Sequence, residues 1–261
     1  MMSLMVRALQ LGICLIWLTS SFALASQSLV KQIKRIKPSI VGVGIYEPTG
    51  APQSRLYGTG FVIGNGSYVV TNYHVLRAEL TDTQQRVVFS GTGPRSQVHK
   101  VDIVAYSSET DLAILKLQQG QLPALTLSQD LAVNEGQDIA FTGFPIGAVL
   151  GLYPVTHQGI VASITPDAIP LVGDKQLSAA MIKRLKNPKL IYQLDATAYP
   201  GNSGSPVYFP ESGVVVAVIN KVLVQSGKES VISAPSGITY AIPIKHVFSL
   251  LASQGIDINA P

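Results

Sequence analysis

Twelve short apolar or alternating runs, parted by turn residues, constrain this chain more than any other feature. The first six are Ser39–Tyr46, Leu56–Ile63, Tyr68–Asn72, Arg86–Ser90, Val98–Tyr106 and Leu112–Leu117. The second six are Gln137–Thr142, Val155–Ile164, Leu190–Asp195, Ser205–Phe209, Val214–Ile219 and Ile238–Ile242. All are rich in Val and Ile, and turn signals such as Gly64-Asn65-Gly66 join them. A polar bridge with Gly and Pro, Gln118–Gln129, divides the sets, so the pattern predicts two paired all-β units. With 23 glycines, 16 prolines and only 13% charged residues, the chain suits a turn-rich β protein better than a helical or disordered one.

Two segments read as helix. Pro243–Ser253 carries Ile244, Val247, Phe248 and Leu251 at helical spacing, with Pro243 suited to a first turn. Gln176–Leu185 is a weaker candidate inside the long connection from Pro166 to Pro188. A basic amphipathic stretch, Ser28–Lys37, precedes the first strand.

The N-terminus reads as an export signal over residues 1–25. Arg7 supplies the positive start, Leu9 to Leu18 is apolar, and Ala23-Leu24-Ala25 is a small-x-small cleavage site. The apolar run is short for a bilayer span and is soon followed by Thr19-Ser20-Ser21. Cleavage removes Cys14 and Trp17, the only cysteine and tryptophan, so thiol and disulfide chemistry are excluded from residues 26–261. The expected location is periplasmic or secreted, with no stable membrane span after cleavage. A net charge of +4, with basic residues clustered only at Lys31–Lys37 and Lys183–Lys189, argues against a nucleic-acid partner.

Three segments carry candidate chemistry. In "GTGFVIGNGSYVVTNYHVL", His74 stands where a strand pattern stops, a firm place for a general base. In "TDLAILKL", Asp111 leads straight into an apolar run; a carboxylate drawn inward needs a partner, and an imidazole N–H is a suitable one. In "AYPGNSGSPV", Gly201 and Gly204 let the backbone turn tightly about Ser203. Such a turn aims the N–H groups of Gly201 and Ser203 at one spot, as an oxyanion hole requires. Ser205 lacks that setting because Pro206 follows. Alone, each reads equally as a strand-end histidine, a capping aspartate or a polar turn. Together they stand in the order His, Asp, Ser, the first two in one strand set and the third in the other, as in a cleft between two barrels.

The blocks "GTGFVIGNGSYVVTNYHVL", "DLAILKL" and "LDATAYPGNSGSPV" resemble the signatures of chymotrypsin-fold serine proteases, and of the bacterial HtrA/Deg branch in particular. The likeness runs from about Ser39 to Leu251. It implies two six-stranded antiparallel β-barrels, about 38–118 and 130–242, with the active site between them and a C-terminal helix at about 243–254. It also implies that His74 is base then acid, that Asp111 orients it, that Ser203 attacks the carbonyl, and that the Gly201 and Ser203 N–H groups hold the oxyanion. No cofactor is expected, and the partners are protein or peptide substrates.

Departures from the family narrow these expectations. The chain ends near the barrel-terminal helix, so no peptide-binding PDZ domain is expected, and that family's oligomerisation is not carried over. "GNSGSP" is similar to the glutamyl endopeptidase branch, but Asn220 stands where that branch places a pocket histidine. Thr197, at the expected pocket base, is no acid. Pocket residues Thr197, Ala198 and Asn220 therefore predict small or medium apolar side chains in the substrate. Asn202 replaces the aspartate with which digestive relatives bind a freed N-terminus, so activation by N-terminal cutting is not expected. The Pro166–Pro188 connection is a candidate for control or a passive insertion.

His99, His157 and His246 read as structural or surface histidines, and no metal site is indicated. Glu47, Glu109 and Asp195 read as solvated or capping acids. The sequence thus predicts an exported serine endopeptidase. The alternatives are a catalytically silent or resting peptide-binding member of the same fold, and an esterase on another scaffold. The last lacks the Gly-x-Ser-x-Gly elbow.

Overall fold

Strand parity explains the architecture. A computed structural model describes residues 29–130, 132–145, 151–167, 188–220 and 238–259. In it, β1 (Ile40–Tyr46), β2 (Ser54–Ile63), β3 (Tyr68–Asn72), β4 (Gln85–Ser90), β5 (Gln97–Ser107) and β6 (Leu112–Leu117) close into one antiparallel barrel, in the order β1-β2-β3-β6-β5-β4. A second barrel, in the order β10-β11-β12-β9-β8-β7, contains β7 (Asp138–Gly143), β8 (Val155–Pro166), β9 (Leu190–Asp195), β10 (Pro206–Tyr208), β11 (Val215–Asn220) and β12 (Ile238–Pro243). Closure leaves neither sheet an open edge.

Because side chains alternate along a strand, each parity meets a different core. Val41, Val43, Val69, Ala113 and Leu115 fill barrel one, and Ile139, Phe141, Val207 and Ile219 fill barrel two. Their neighbours Ile40, Val70, Leu112, Ile114, Ala140, Tyr208, Val218 and Ile242 enter a third core that the barrels share. β6 and β11 are therefore apolar on both faces, which is why their sequences run almost unbroken.

The polar bridge stitches the barrels together. Leu125 N–H donates to Val62 O, then Ser128 N–H donates to Val215 O and Val215 N–H to Thr126 O. Consecutive bridge residues thus pair first with β2 and then with β11.

Helix α1, residues 29–36, occupies the basic amphipathic stretch, which the sequence reading had not assigned as helix. Ile36 is fully buried in the shared core, and Gln32 Nε2 and Arg35 Nη2 donate to the Glu211 and Ser212 carbonyls. Helix α2, Lys245–Ser253, buries Val247, Leu250 and Leu251 in the same core. The expectation that Pro243 opens this helix is corrected: Pro243 is the last residue of β12, paired with Ala217, and the helix follows Ile244. A strand end tolerates the missing proline donor, and Ile244 N–H bonds to Val216 O, prolonging the strand contact past it. The expected Gln176–Leu185 helix and the 1–25 signal lie outside the described residues. Among those described, no helix is long and apolar enough to cross a membrane.

Candidate active site

The β2–β3 turn carries Gly64 and Gly66 at positive φ, and Asn65 Oδ1 accepts from the N–H and hydroxyl of Ser67. This tight reversal sets β3 rigidly, and β3 runs straight into the single 3-10 turn Tyr73–Leu76 that bears His74.

Asp111 is fastened to that turn at four points. Its carbonyl accepts from Tyr73 N–H and from Asn72 Nδ2, each at 3.1 Å. Its Oδ1 accepts from His74 N–H at 2.9 Å, and its Oδ2 lies 2.6 Å from His74 Nδ1. An ionised carboxylate can only accept, so Nδ1 is the donor, and in the neutral imidazole Nε2 keeps its lone pair. Among the described residues Asp111 is the one non-glycine with positive φ, at 52°. Aspartate is among the few residue types that enter this region readily, and the four contacts over-determine it there. The two side chains are only 20% and 15% exposed, so the pair is weakly screened by water.

Ser203 arrives from barrel two, in the turn between β9 and β10, and is 6% exposed. Gly201 and Gly204 have φ of 97° and 86°. Within the turn, Asn202 N–H donates to Tyr199 O and Ser205 N–H to Asn202 O, each at 3.0 Å. Gly204 N–H donates to Ile219 O, also at 3.0 Å. The N–H groups of Gly201 and Ser203 donate to none of the described residues. Ser203 O accepts from Thr59 N–H at 2.9 Å. Gly58 is wedged at the same junction: a Cβ on it would lie 2.7 Å from Val75 and 3.0 Å from Ser203 O. Val75 is the chain neighbour of His74, so the backbone that bears His74 and the Ser203 turn both pack against Gly58 and Thr59.

Two of the expected pocket residues, Ala198 and Asn220, contact neighbouring positions of β12. Ala198 is buried and its N–H donates to Thr239 Oγ1, whose hydroxyl proton goes to Ala196 O. Asn220, also buried, pairs across the sheet with Tyr240, the next residue along β12. Thr197 is half-buried between Ala196 and Ala198. Asn202 is fully buried, and its amide nitrogen and oxygen find no hydrogen-bond partner among the described residues; the same holds for Ser205 Oγ.

Of the other histidines, His157 lies beside the Ser203 turn, its ring 5.9 Å from that of Tyr199. His99 Nε2 is 2.7 Å from Ser90 Oγ, His157 stacks on Phe141, and burial pushes both pKa values down. Burial, helped by Lys189 and Lys245, pushes His246 down to about 4. Glu109 pairs with Lys189 at 3.1 Å. Among the described residues no group of three His, Cys, Asp or Glu side chains could hold a metal ion.

The family profile described as "Trypsin-like peptidase domain" matches residues 58–218, from the Gly58 junction through the Ser203 turn into β11. The chain belongs to that family. The chain is 28% identical over 196 residues to a protein of Halomonas elongata, covering 74% of this chain and 34% of that one. It is 31% identical over 208 residues to one of Chlamydia trachomatis, covering 79% and 34%. Both relatives are named "Probable periplasmic serine endoprotease DegP-like". The chain thus spans about a third of the length of the curated relatives it matches. Among solved structures, "HtrA-type protease AlgW with tripeptide" superposes with a TM-score of 0.59 at 23% identity, over 86% of this chain and 62% of that one. A serine endoprotease from Yersinia pestis gives 0.58 at 20%, over 87% and 66%. These two likenesses are of fold, and both match the paired barrels described above.

Sequence reasoning missed the threonines of this peptidase domain: Thr59, Thr71 and Thr239 all bond to backbone at or beside the site. Only Thr59 had a signal, its place between two glycines in "GTGF".

Proposed function

We propose that this trypsin-like peptidase domain is an exported serine endopeptidase that hydrolyses peptide bonds in protein substrates through an acyl-enzyme. The observations that support the reading are the Asp111–His74 contact at 2.6 Å and the packing of Gly58 between Val75, the chain neighbour of His74, and Ser203 O, in a turn whose Gly201 and Ser203 N–H groups donate to none of the described residues.

With Nδ1 donating to Asp111, His74 Nε2 is free to take the Ser203 hydroxyl proton as Oγ attacks the substrate carbonyl. The imidazolium so formed faces the Asp111 carboxylate. The carbonyl oxygen becomes an oxyanion and accepts from the Gly201 and Ser203 N–H groups; one such donor is worth about 10²–10³ in rate. His74 then returns the proton to the leaving amine, and water repeats the sequence on the ester. Thr197, Ala198 and Asn220 line the primary pocket on this reading, and their lack of charge favours small or medium apolar side chains. The N-terminal pattern and the periplasmic names of the relatives support the export part of the reading.

The test is intact mass after incubation with a fluorophosphonate, using protein recovered from cells expressing the full sequence, beside Ser203→Ala. One adduct on the native chain and none on the variant is expected. A folded native chain that takes no adduct would overturn the reading. The labelled-competent enzyme is then given a peptide library, where cleavage mainly after Glu or Arg would refute the pocket assignment.

A further inference from the structure

We propose that Thr59 is a positioning residue for the nucleophile turn. Through its hydroxyl and its N–H it holds the carbonyls of Gly201 and Ser203 against barrel one, leaving the N–H groups of the same turn to face the cleft. The inference rests on the reading of Ser203 and those N–H groups given above.

Thr59 lies in β2 and is fully buried. A hydroxyl has one proton to give and lone pairs to accept with. Here the proton goes to Gly201 O at 2.7 Å, and Phe144 N–H donates to the oxygen at 3.0 Å, so the hydroxyl direction is determined. Its backbone N–H donates to Ser203 O at 2.9 Å. Its carbonyl accepts from Thr71 Oγ1 at 2.7 Å and abuts Gly204, where a Cβ would collide with it. One residue of barrel one therefore touches the turn at 201, 203 and 204.

Peptide planarity turns these contacts into orientation. The Gly201–Asn202 plane is held at both ends, its C=O by Thr59 Oγ1 and its N–H by Tyr199 O. The Ser203–Gly204 plane is likewise held, its C=O by Thr59 N–H and its N–H by Ile219 O. The planes between and before them carry the Asn202–Ser203 and Pro200–Gly201 amides, whose N–H groups are the two left unengaged. Thr59 supplies the carbonyl anchor for both fixed planes. Without its hydroxyl, Gly201 O and Phe144 N–H both lose their partner; the Gly201–Asn202 plane keeps only its tie to Tyr199 O, and the adjoining Pro200–Gly201 amide, which carries the Gly201 N–H, is held in line less firmly.

The test uses Thr59→Val, Thr59→Ala and Thr59→Ser, each in the full sequence. Alanine gives a hydroxyl-free variant with less crowding in case the valine variant does not fold. Two quantities are read: hydrogen exchange of the segment 199–205, and the rate at which a fluorophosphonate labels Ser203. Loss of the hydroxyl is expected to speed exchange in 199–205 and to slow labelling, each by about tenfold or more. Serine is expected to restore both to within about threefold. For a cleaved peptide the loss falls on kcat rather than KM, because the oxyanion forms only in the transition state. The pH profile keeps its shape, since His74 and Asp111 are untouched. Unchanged exchange in a folded hydroxyl-free variant would overturn the proposal. So would faster exchange with an unchanged labelling rate, or a serine variant that behaves like valine. Should the native chain fail to label while exchange responds as stated, the anchor stands and the reading of Ser203 as nucleophile falls.

Discussion

Asp111→Asn separates the orienting role of the carboxylate from its place in the fold. Asparagine matches aspartate in shape and is equally at ease at the φ of 52°, and the Asp111 carbonyl keeps its two donors, Tyr73 N–H and Asn72 Nδ2. The side chain must still face two groups. His74 N–H requires an acceptor, so the amide oxygen takes the Oδ1 position, 2.9 Å away. The amide NH2 is then forced toward His74 Nδ1, which must become an acceptor at the 2.6 Å contact. The imidazole proton moves to Nε2, and Nε2, the proposed acceptor of the Ser203 proton, can no longer accept. Replacement of this carboxylate in a Ser–His–Asp triad lowers the rate by about 10⁴ through that tautomer change. At about 1.36 kcal/mol per tenfold, the barrier rises by about 5 kcal/mol. The assay is the second-order rate of fluorophosphonate labelling at neutral pH, with unfolding in urea as the control for fold. A folded variant that labels within tenfold of the native rate would refute the assignment.

Gly204→Ala sets an L side chain at φ 86° and its Cβ against the Thr59 carbonyl, which as backbone cannot swing away. Left-handed strain of about 1–2 kcal/mol and overpacking of about 1–3 kcal/mol should lower stability by about 2–5 kcal/mol in urea unfolding; a change below about 0.5 kcal/mol would be inconsistent with that contact. His246 is pushed from 6.5 down to about 4, chiefly by burial and then by Lys189 and Lys245, against the opposing pull of Asp167 and Glu109. Between those values the unfolded chain binds a proton that the folded chain does not, so stability rises with pH across that window and falls on acidification. The urea midpoint should therefore drop from pH 6.5 to pH 4.5 by more in the native chain than in His246→Gln. Equal drops would refute it.

The strands were legible because their signals are local. Tyr68–Asn72, Leu112–Leu117 and Leu190–Asp195 have the same bounds in sequence and structure, since alternation and turn residues act within a few positions. Helix α1 escaped because its stripe is brief, and what it covers, the Glu211–Ser212 corner, is nearly 180 residues away. Pro243 misled because proline is compatible with a strand end as well as a helix start. His74, Asp111 and Ser203 stood out as chemical types at strand ends beside glycines. Thr59, Thr71 and Thr239 did not, since threonine is an ordinary strand residue. Whether its hydroxyl serves its own barrel or reaches another is decided only by how the barrels dock.

The split of the site between the barrels bears on how the protein is made. All four ties on Asp111 come from residues 72–74, so the contacts that fix the His74–Asp111 pair lie wholly within barrel one. Ser203 follows much later along the chain, and at about 5–20 residues per second the delay is roughly 5–20 s. Through that interval, on the proposed reading, the nascent chain holds a base and no nucleophile. Cleavage begins only when β10 and β11 have closed and Thr59 has met the turn. On the same reading, a chain clipped within Gln118–Gln129 would yield two inert halves, the base in one and the nucleophile in the other.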